Sequence, residues 1–342
     1  MTHVNSPAQI TTVIPTFRRP QKVERAIRSV LAQSYPNFEV HIYDNASGDA
    51  TRDVVGAIAA MDHRVKYFCQ PENIGFVKNF SCGMQMARTP FVNLLSDDDL
   101  LLPNFFADAT ASFDRHPQAF LFVGLVSERH GDGTPYPPPR KLVKPGMYNP
   151  PLGFGALMSE AVPRTWTGML FRRAVFEQIG TLDGALTTQH DHEFVIRTAL
   201  RWPVVFETIP CGAFFHHDDS IHMSTSRTDC LLGWGQILRK VESDASLPGA
   251  VRRRAVRCIK KRLRRDVIRS AVLSSLNGQF QDAAEVAALL EREVDSKWSA
   301  RALSLLVRHG AVGGSFRLMA RSSVHVNRKM RAIKDYVMFG NS

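Results

Sequence analysis

The sequence predicts an α/β protein: a mostly parallel sheet flanked by helices, followed by a helical C-terminal extension. Three observations predict it. Apolar runs of strand length alternate with segments of helical period, a polar turn closes each run, and the charge is divided unequally along the chain. The net charge is +11, yet residues 1–230 carry 21 Lys and Arg against 23 Asp and Glu, while residues 231–342 carry 22 against 9. The expected domains are therefore 1–230, holding the α/β part, and 231–342, a basic helical region.

The elements follow in order. "QITTVIPTF" is a short β-rich run ending near Pro15, and "RPQKVERAIRSVLAQS" then sets Val23, Ala26, Ile27, Val30 and Leu31 on one helix face. "FEVHIYDNASGDATRDVV" repeats the scheme with an apolar run through Val40 and Ile42, a polar turn at Asp44, Asn45, Ser47 and Gly48, and a helix capped near Asp49. "RVKYFCQ" is a third strand, "PENIGFVKNFSCGMQMAR" a glycine-containing turn and helix, and "PFVNLL" a fourth strand. Four such units in a row imply a doubly wound sheet with right-handed crossovers.

Composition excludes several classes. The five cysteines are scattered, odd in number and never spaced as C-x-x-C, which argues against a disulfide framework or a zinc site and for a reduced, cytoplasmic protein. No charged-then-apolar leader opens the sequence and no run reaches the roughly 18 apolar residues of a spanning helix, so neither secretion nor membrane integration is expected. The first turn lacks G-x-G-x-x-G, and G-x-x-x-x-G-K-[ST] is absent, so neither a dinucleotide nor a P-loop is indicated.

Ligands of such sheets bind beyond the carboxyl ends of the strands. Those ends carry Thr16, Phe17 and Arg18, then Asp44 and Asn45, then Asn73 and Gly75, then Asp97, Asp98 and Asp99. Three adjacent carboxylates between apolar runs repel one another, and partial desolvation raises that cost, so a positive charge is expected among them. A hard divalent cation bound by one or two carboxylates plus substrate phosphates meets the requirement. A simple turn or helix cap would need only one Asp.

The succession "VIPTFRR", "IYDNASGDAT", "NIGFVKN" and "LLSDDDLLLP" resembles the nucleotide-binding half of the family 2 glycosyltransferases, over about residues 8–225. The resemblance implies a GT-A, Rossmann-like fold and transfer of a sugar, with inversion, from a nucleoside-diphosphate sugar, expected to be UDP-linked. The setting it implies is bacterial cell-surface polysaccharide or glycolipid assembly. It places Pro15, Thr16, Arg18, Asp44 and Asn73 on the nucleotide. It gives Asp97 and Asp98 to the donor's ribose or sugar and Asp99 to the metal, Mn²⁺ or Mg²⁺. Ser96 stands where the family often has the first Asp of its motif.

The stretch "HGDGTPYPPPRKLVKPG" reads as a surface loop with no assigned chemistry. Beyond it, "TWTGMLFRRAVFEQIGTLDGALTTQHDHEFVIRTALRW" resembles the family's acceptor-side segment. There Asp191 is implied as general base with Arg197 as its helix partner, and His190 replaces a frequent Glu. Asp191 and Glu193 are equally the first-turn acids that a helix dipole favours. Trp166 is a candidate for stacking on the acceptor sugar, against ordinary core packing. In "FFHHDDSIHMS", His217 is the best match to a family histidine that completes the metal site, against a polar loop for it, His216 and His222.

In the basic region, "VRRRAVRCIKKRLRRDVIRSAVLSSL" sets Val251, Ala255, Ile259, Leu263 and Val267 four apart among Arg and Lys. It reads as a basic amphipathic helix broken at Asn277-Gly278, with "DAAEVAALLEREV" as a second helix. Such a helix either lies on an anionic membrane surface or packs with its basic face solvated. Nucleic acid is disfavoured, because aromatic interleaving and a reading module are both missing. The expected partners are the donor and a glycan or lipid-linked acceptor, and the expected location is cytoplasmic, peripheral at the inner face of the cell membrane. A nucleotide-sugar-binding protein without turnover would keep Asp44 and the Asp triplet but need no base. A nucleotidyltransferase would carry a Gly-rich, basic first loop that "VIPTFRRP" does not supply.

Overall fold

The computed structural model describes residues 8–139, 141–159, 165–216, 226–276 and 279–294. The chain divides into two compact units, Met1–Ser224 with Ser246–Val251, and Thr225–Ala245 with Arg252–Ser342.

The first unit opens with the expected alternation. β1 (Ile10–Thr16) is buried along its whole length, as a central parallel strand must be. α1 (Pro20–Leu31) starts with Pro20 in its first turn, where the missing N–H forfeits no helical bond. Its face of Val23, Ala26, Ile27 and Val30 is fully buried, and each buried Val or Ile contributes roughly 1.5–3 kcal/mol. β2 (Phe38–Asp44), α2 (Thr51–Met61), β3 (Val65–Cys69), α3 (Phe76–Met86) and β4 (Phe91–Leu94) follow. Asp49 Oδ1 accepts from Thr51 N at 2.9 Å, so the expected cap sits two residues before the first helical one.

Beyond β4 come β5 (Leu100–Leu101), α4 (Phe105–Arg115), β6 (Leu121–His130), β7 (Gly146–Tyr148), α5 (Leu152–Leu157), β8 (Met169–Arg172), α6 (Ala174–Ile179), α7 (His190–Ala199) and β9 (Val204–His216). Among the described residues nine strands form one sheet in the order β3-β2-β1-β4-β8-β6-β9-β5, with β7 paired on β9. β1 pairs parallel with β2 and β4, and β2 with β3. β8 is antiparallel to both β4 and β6, and two reversals restore the direction. β6 and β9, themselves parallel, therefore run the same way as β1. The carboxyl ends of β1, β2, β4, β6 and β9 share one edge of the sheet. The fold is the expected α/β one, with an antiparallel strand inserted in its middle.

The second unit contains α8 (Arg227–Ser243), most of α9 (Gly249–Leu276) and α10 (Phe280–Val294). Ser226 caps α8 by accepting from Asp229 N at 3.0 Å. On α9, Ala255, Ile259, Leu263 and Val267 are at most 1% exposed. The apolar stripe is thus already covered by protein, which corrects the reading in which it would dip into a bilayer. Arg253, Arg254, Arg257, Lys261, Arg264 and Arg265 remain exposed. Arg262 lies 4.4 Å over the Trp234 ring, and Lys260 pairs with Glu242 at 2.8 Å. The expected break at Asn277-Gly278 lies outside the described residues. No described helix is long and apolar enough to cross a membrane.

Candidate active site

Beyond β4 the chain turns through the Asp triplet, with Asp99 N donating to Ser96 O at 3.2 Å. All three Asp residues are buried. Asp97 Oδ2 accepts from Thr16 Oγ1 at 2.8 Å, which ties the end of β1 to the turn. One guanidinium nitrogen, Arg19 Nη1, serves both Asp97 Oδ1 (3.2 Å) and Asp98 Oδ2 (3.1 Å). Arg25 Nη2 donates to the Asp98 carbonyl at 2.9 Å and its guanidinium lies over the Phe215 ring at 4.6 Å. Asp99 is fully buried, with Oδ2 accepting from Thr167 Oγ1 (2.5 Å) and Oδ1 from Phe215 N (3.1 Å). Burial, then the Asp98 charge, pushes Asp97 up to about 6 against the pull of Arg19 and Thr16. The same two causes raise Asp99 well above the usual carboxylate range. One positive charge among the carboxylates is supplied by the chain itself, in Arg19, which reaches Asp97 and Asp98.

The nucleotide-side residues gather at the same edge. Asp44 Oδ1 accepts from Ser47 N (3.0 Å) and Ser47 Oγ (2.5 Å), and Oδ2 from Tyr67 Oη (2.5 Å). Burial, and then the bond to Asp44, raises the Tyr67 phenol above its ordinary value. Arg18 adopts φ 55°, donating its N to Ser47 Oγ at 2.8 Å and its Nε to Ser47 O at 3.1 Å. Asn45 Nδ2 donates to Asn73 Oδ1 at 2.9 Å, which also accepts from Gly75 N at 2.9 Å. Gly75, at φ 84° just before α3, takes a backbone conformation that a side chain would strain. Pro15 lies buried within β1.

On α7, Asp191 sits in the first turn with its side chain 37% exposed, and Oδ1 accepts from His192 N at 2.8 Å and lies 3.1 Å from His192 Nδ1. Burial works to raise its pKa, but the charge and hydrogen bonds of His192 prevail and hold it below the ordinary value. Arg197 is not the partner of Asp191. It pairs with Glu193, Nε to Oε1 at 3.0 Å, and donates to the carbonyls of Ile179 and Thr181. The reason is helical spacing: four residues bring side chains together and six do not. Trp166 is buried, its ring centroid 4.6 Å from that of Phe80. His216 Nε2 lies 3.0 Å from Glu128 Oε2, whereas His217 and His222 fall outside the described residues.

Sequence reasoning missed Arg19, Arg25, Ser47, Tyr67 and Thr167. For Arg19 a signal existed: a second Arg directly beyond the β1 end, facing a strand neighbour that closes on three acids. Among the described residues no three His, Cys, Asp or Glu side chains converge as a metal cage. The triplet nevertheless fits a Mg²⁺- or Mn²⁺-type ion, because such ions take one or two carboxylates and complete their shell with phosphates and water. Asp98 would hold the ion, since both oxygens of Asp97 and both oxygens of Asp99 are already engaged.

Residues 11–180 match the family model described as "Glycosyl transferase family 2", and the chain belongs to that family through this segment. Among curated relatives it is 36% identical over 125 residues to the GalNAc(5)-diNAcBac-PP-undecaprenol beta-1,3-glucosyltransferase of Campylobacter jejuni, which covers 36% of this chain and 40% of that one. The match thus spans less than half of that relative's length. The fold is that of S. aureus TarS 1–349, solved in complex with UDP-GlcNAc, at TM-score 0.63 and 17% identity over 91% of this chain and 92% of that one. A mannosyltransferase from Pyrobaculum calidifontis, in complex with GDP-Man and Mn²⁺, superposes at TM-score 0.57 with 14% identity, over 98% and 89% of the two chains.

Proposed function

We propose that this chain is an inverting glycosyltransferase that moves a sugar from a nucleoside-diphosphate donor to an acceptor hydroxyl. The observation that carries the proposal is the buried Asp triplet at the carboxyl edge, joined to the β1 end through Thr16 and Arg19. The family membership of residues 11–180 supports it. The TarS complex with UDP-GlcNAc favours a UDP-linked donor. The name of the C. jejuni relative favours a glycan on a polyprenyl diphosphate as acceptor, in cell-surface glycan assembly.

In this reading Asp44, Asn73, Pro15, Thr16 and Arg18 frame the nucleotide, and Asp97 and Asp98 face its diphosphate side. Bound by Asp98, a divalent cation would neutralise charge on the departing diphosphate. Asp99 fixes the turn by gripping Thr167 and the β9 backbone. Asp191, held ionised by His192, accepts the proton of the acceptor hydroxyl as that oxygen attacks the anomeric carbon from the side opposite the leaving group, which inverts it. No covalent nucleophile is required. The exposed basic face of α9 provides electrostatic attraction to an anionic membrane, so the working location is cytoplasmic and peripheral.

The test is calorimetry with a panel of nucleoside diphosphates and their sugars, in Mn²⁺ and in chelator. We expect uridine nucleotides to bind best, to lose at least about tenfold in chelator, and Asp98→Asn in Mn²⁺ to match wild type in chelator. Binding of no nucleotide in the panel would overturn the donor reading, and equal binding with and without Mn²⁺ would overturn the metal's part in it.

A further inference from the structure

The Pro-rich stretch after β6 does more than cover the surface. His130 N donates to Thr134 O at 2.8 Å and Tyr136 N to Glu128 O at 2.9 Å, while Arg129 bridges Pro135. These bonds fold residues 128–136 into a tight hairpin that carries Tyr136 back over the end of the strand. Its ring stacks on His130, with centroids 3.7 Å apart, and meets His216 edge-on at 4.9 Å. His216 in turn lies 3.0 Å from the Glu128 carboxylate and is edge-on to Phe214. His130 and His216 are register partners at the shared carboxyl end of β6 and β9. Tyr136 remains 37% exposed and the Glu128 side chain 41%.

Two facts turn this cluster toward substrate. It stands on the same edge of the sheet as the Asp triplet, because β6 and β9 run in the direction of β1. It is also joined to the triplet by one residue of backbone: Phe215 N holds Asp99, and the next side chain, His216, enters the cluster. A sugar ring has an apolar C–H face and a rim of hydroxyls. The cluster offers a matching set: a partly exposed aromatic ring whose rotamer is fixed by stacking, beside a carboxylate that accepts hydrogen bonds and an imidazole that donates or accepts them. Fixing the ring in advance lowers the entropy lost when a ligand docks on it.

We infer that Tyr136, flanked by Glu128 and His216, is a subsite for a sugar ring of the acceptor. The inference rests on the glycosyl-transfer reading, and its test separates the two. The probes are the methyl glycosides of glucose, N-acetylglucosamine and N-acetylgalactosamine, observed by saturation-transfer NMR on the full chain, with UDP·Mn²⁺ affinity measured on the same samples. At least one glycoside should receive saturation at its ring C–H protons in wild type and in Tyr136→Phe. In Tyr136→Ala that signal should fall about tenfold, with UDP·Mn²⁺ affinity unchanged in all three. Equal signals in Tyr136→Ala and wild type, or no transfer to any glycoside in wild type, would overturn the subsite. Transfer that depends on Tyr136 without any UDP binding would uphold the subsite and sink the donor reading instead.

Discussion

At the scale of single residues, Arg19 sets the character of the site. Asp97 and Asp98 share one of its nitrogens, and opposite charges this close attract by several kcal/mol before solvation costs are counted. Arg19→Gln should therefore lower the stability of the metal-free protein by about 1–3 kcal/mol. Mn²⁺ should then raise its melting temperature more than it raises that of wild type in a thermal-shift assay. Asp191→Asn keeps size but removes basicity, so turnover should fall by about 10²–10⁴ while calorimetric donor affinity holds. Retention of most activity would move the base elsewhere. Away from the site, Glu39 is held down to about 2, from an ordinary 4.5, chiefly by His41 and further by Lys66 and Thr11. A depressed carboxyl stabilises the fold above its unfolded pKa and loses that contribution as pH falls from 4.5 toward 2. The unfolding free energy of Glu39→Gln from urea titration should accordingly lie below that of wild type by about 2–3 kcal/mol at neutral pH and converge with it near the acid end. The triplet itself was legible, since three adjacent acids have no cheap explanation. Arg19 was visible as a second Arg beyond the β1 end, but its partners were not, because a charged residue before a helix looks the same whether it faces solvent or a buried acid.

At the scale of elements, the β-rich, largely apolar strands declared themselves, as β1, β2 and β4 did, and α1 showed its packed face through spacing alone. β5 and β7 were invisible: two and three residues long, they are strands only because β9, thirteen residues long, runs past them. Such pairing is tertiary, and no local pattern encodes it. The same contact leaves no room for a side chain at Gly212. A Cβ there would lie 2.7 Å from the Leu100 carbonyl and 3.0 Å from Thr167 Cγ2, next to the hydroxyl that holds Asp99. Gly212→Ala should cost about 1–3 kcal/mol in chemical denaturation and weaken nucleotide binding as well. Full stability in that variant would mean that β5 yields freely. In α7, spacing again separates roles: Glu193 and Arg197 lock the helix to the loop after α6, and Asp191, one turn-face away, is left partly exposed.

At the scale of the molecule, charge and apolar burial have been sorted onto different faces of α9. Arg253, Arg254, Arg257, Lys261, Arg264 and Arg265 fall within about 120° of arc at 100° per residue, opposite the buried stripe. Each contributes roughly 1 kcal/mol near an anionic surface. Co-sedimentation with anionic vesicles should therefore be strong at low salt, weak at high salt, and lost when these six become Gln. Neutral vesicles should bind neither protein. Wild type that ignores anionic vesicles at low salt would leave the basic face as a solvated surface only. The sequence legibly showed the cations and the stripe together. It did not show which partner the stripe had chosen, because protein and lipid interiors are apolar alike.

The sharing of Arg19 between two carboxylates has a consequence for how the protein is made and handled. In small zinc domains the ion is the cement, and chelation unfolds the chain. Here the counter-charge is covalently part of the polypeptide, present from the moment residue 19 leaves the ribosome. The sheet should therefore keep its melting temperature through purification and storage in EDTA, and a divalent ion added last would act as a reagent rather than as a scaffold.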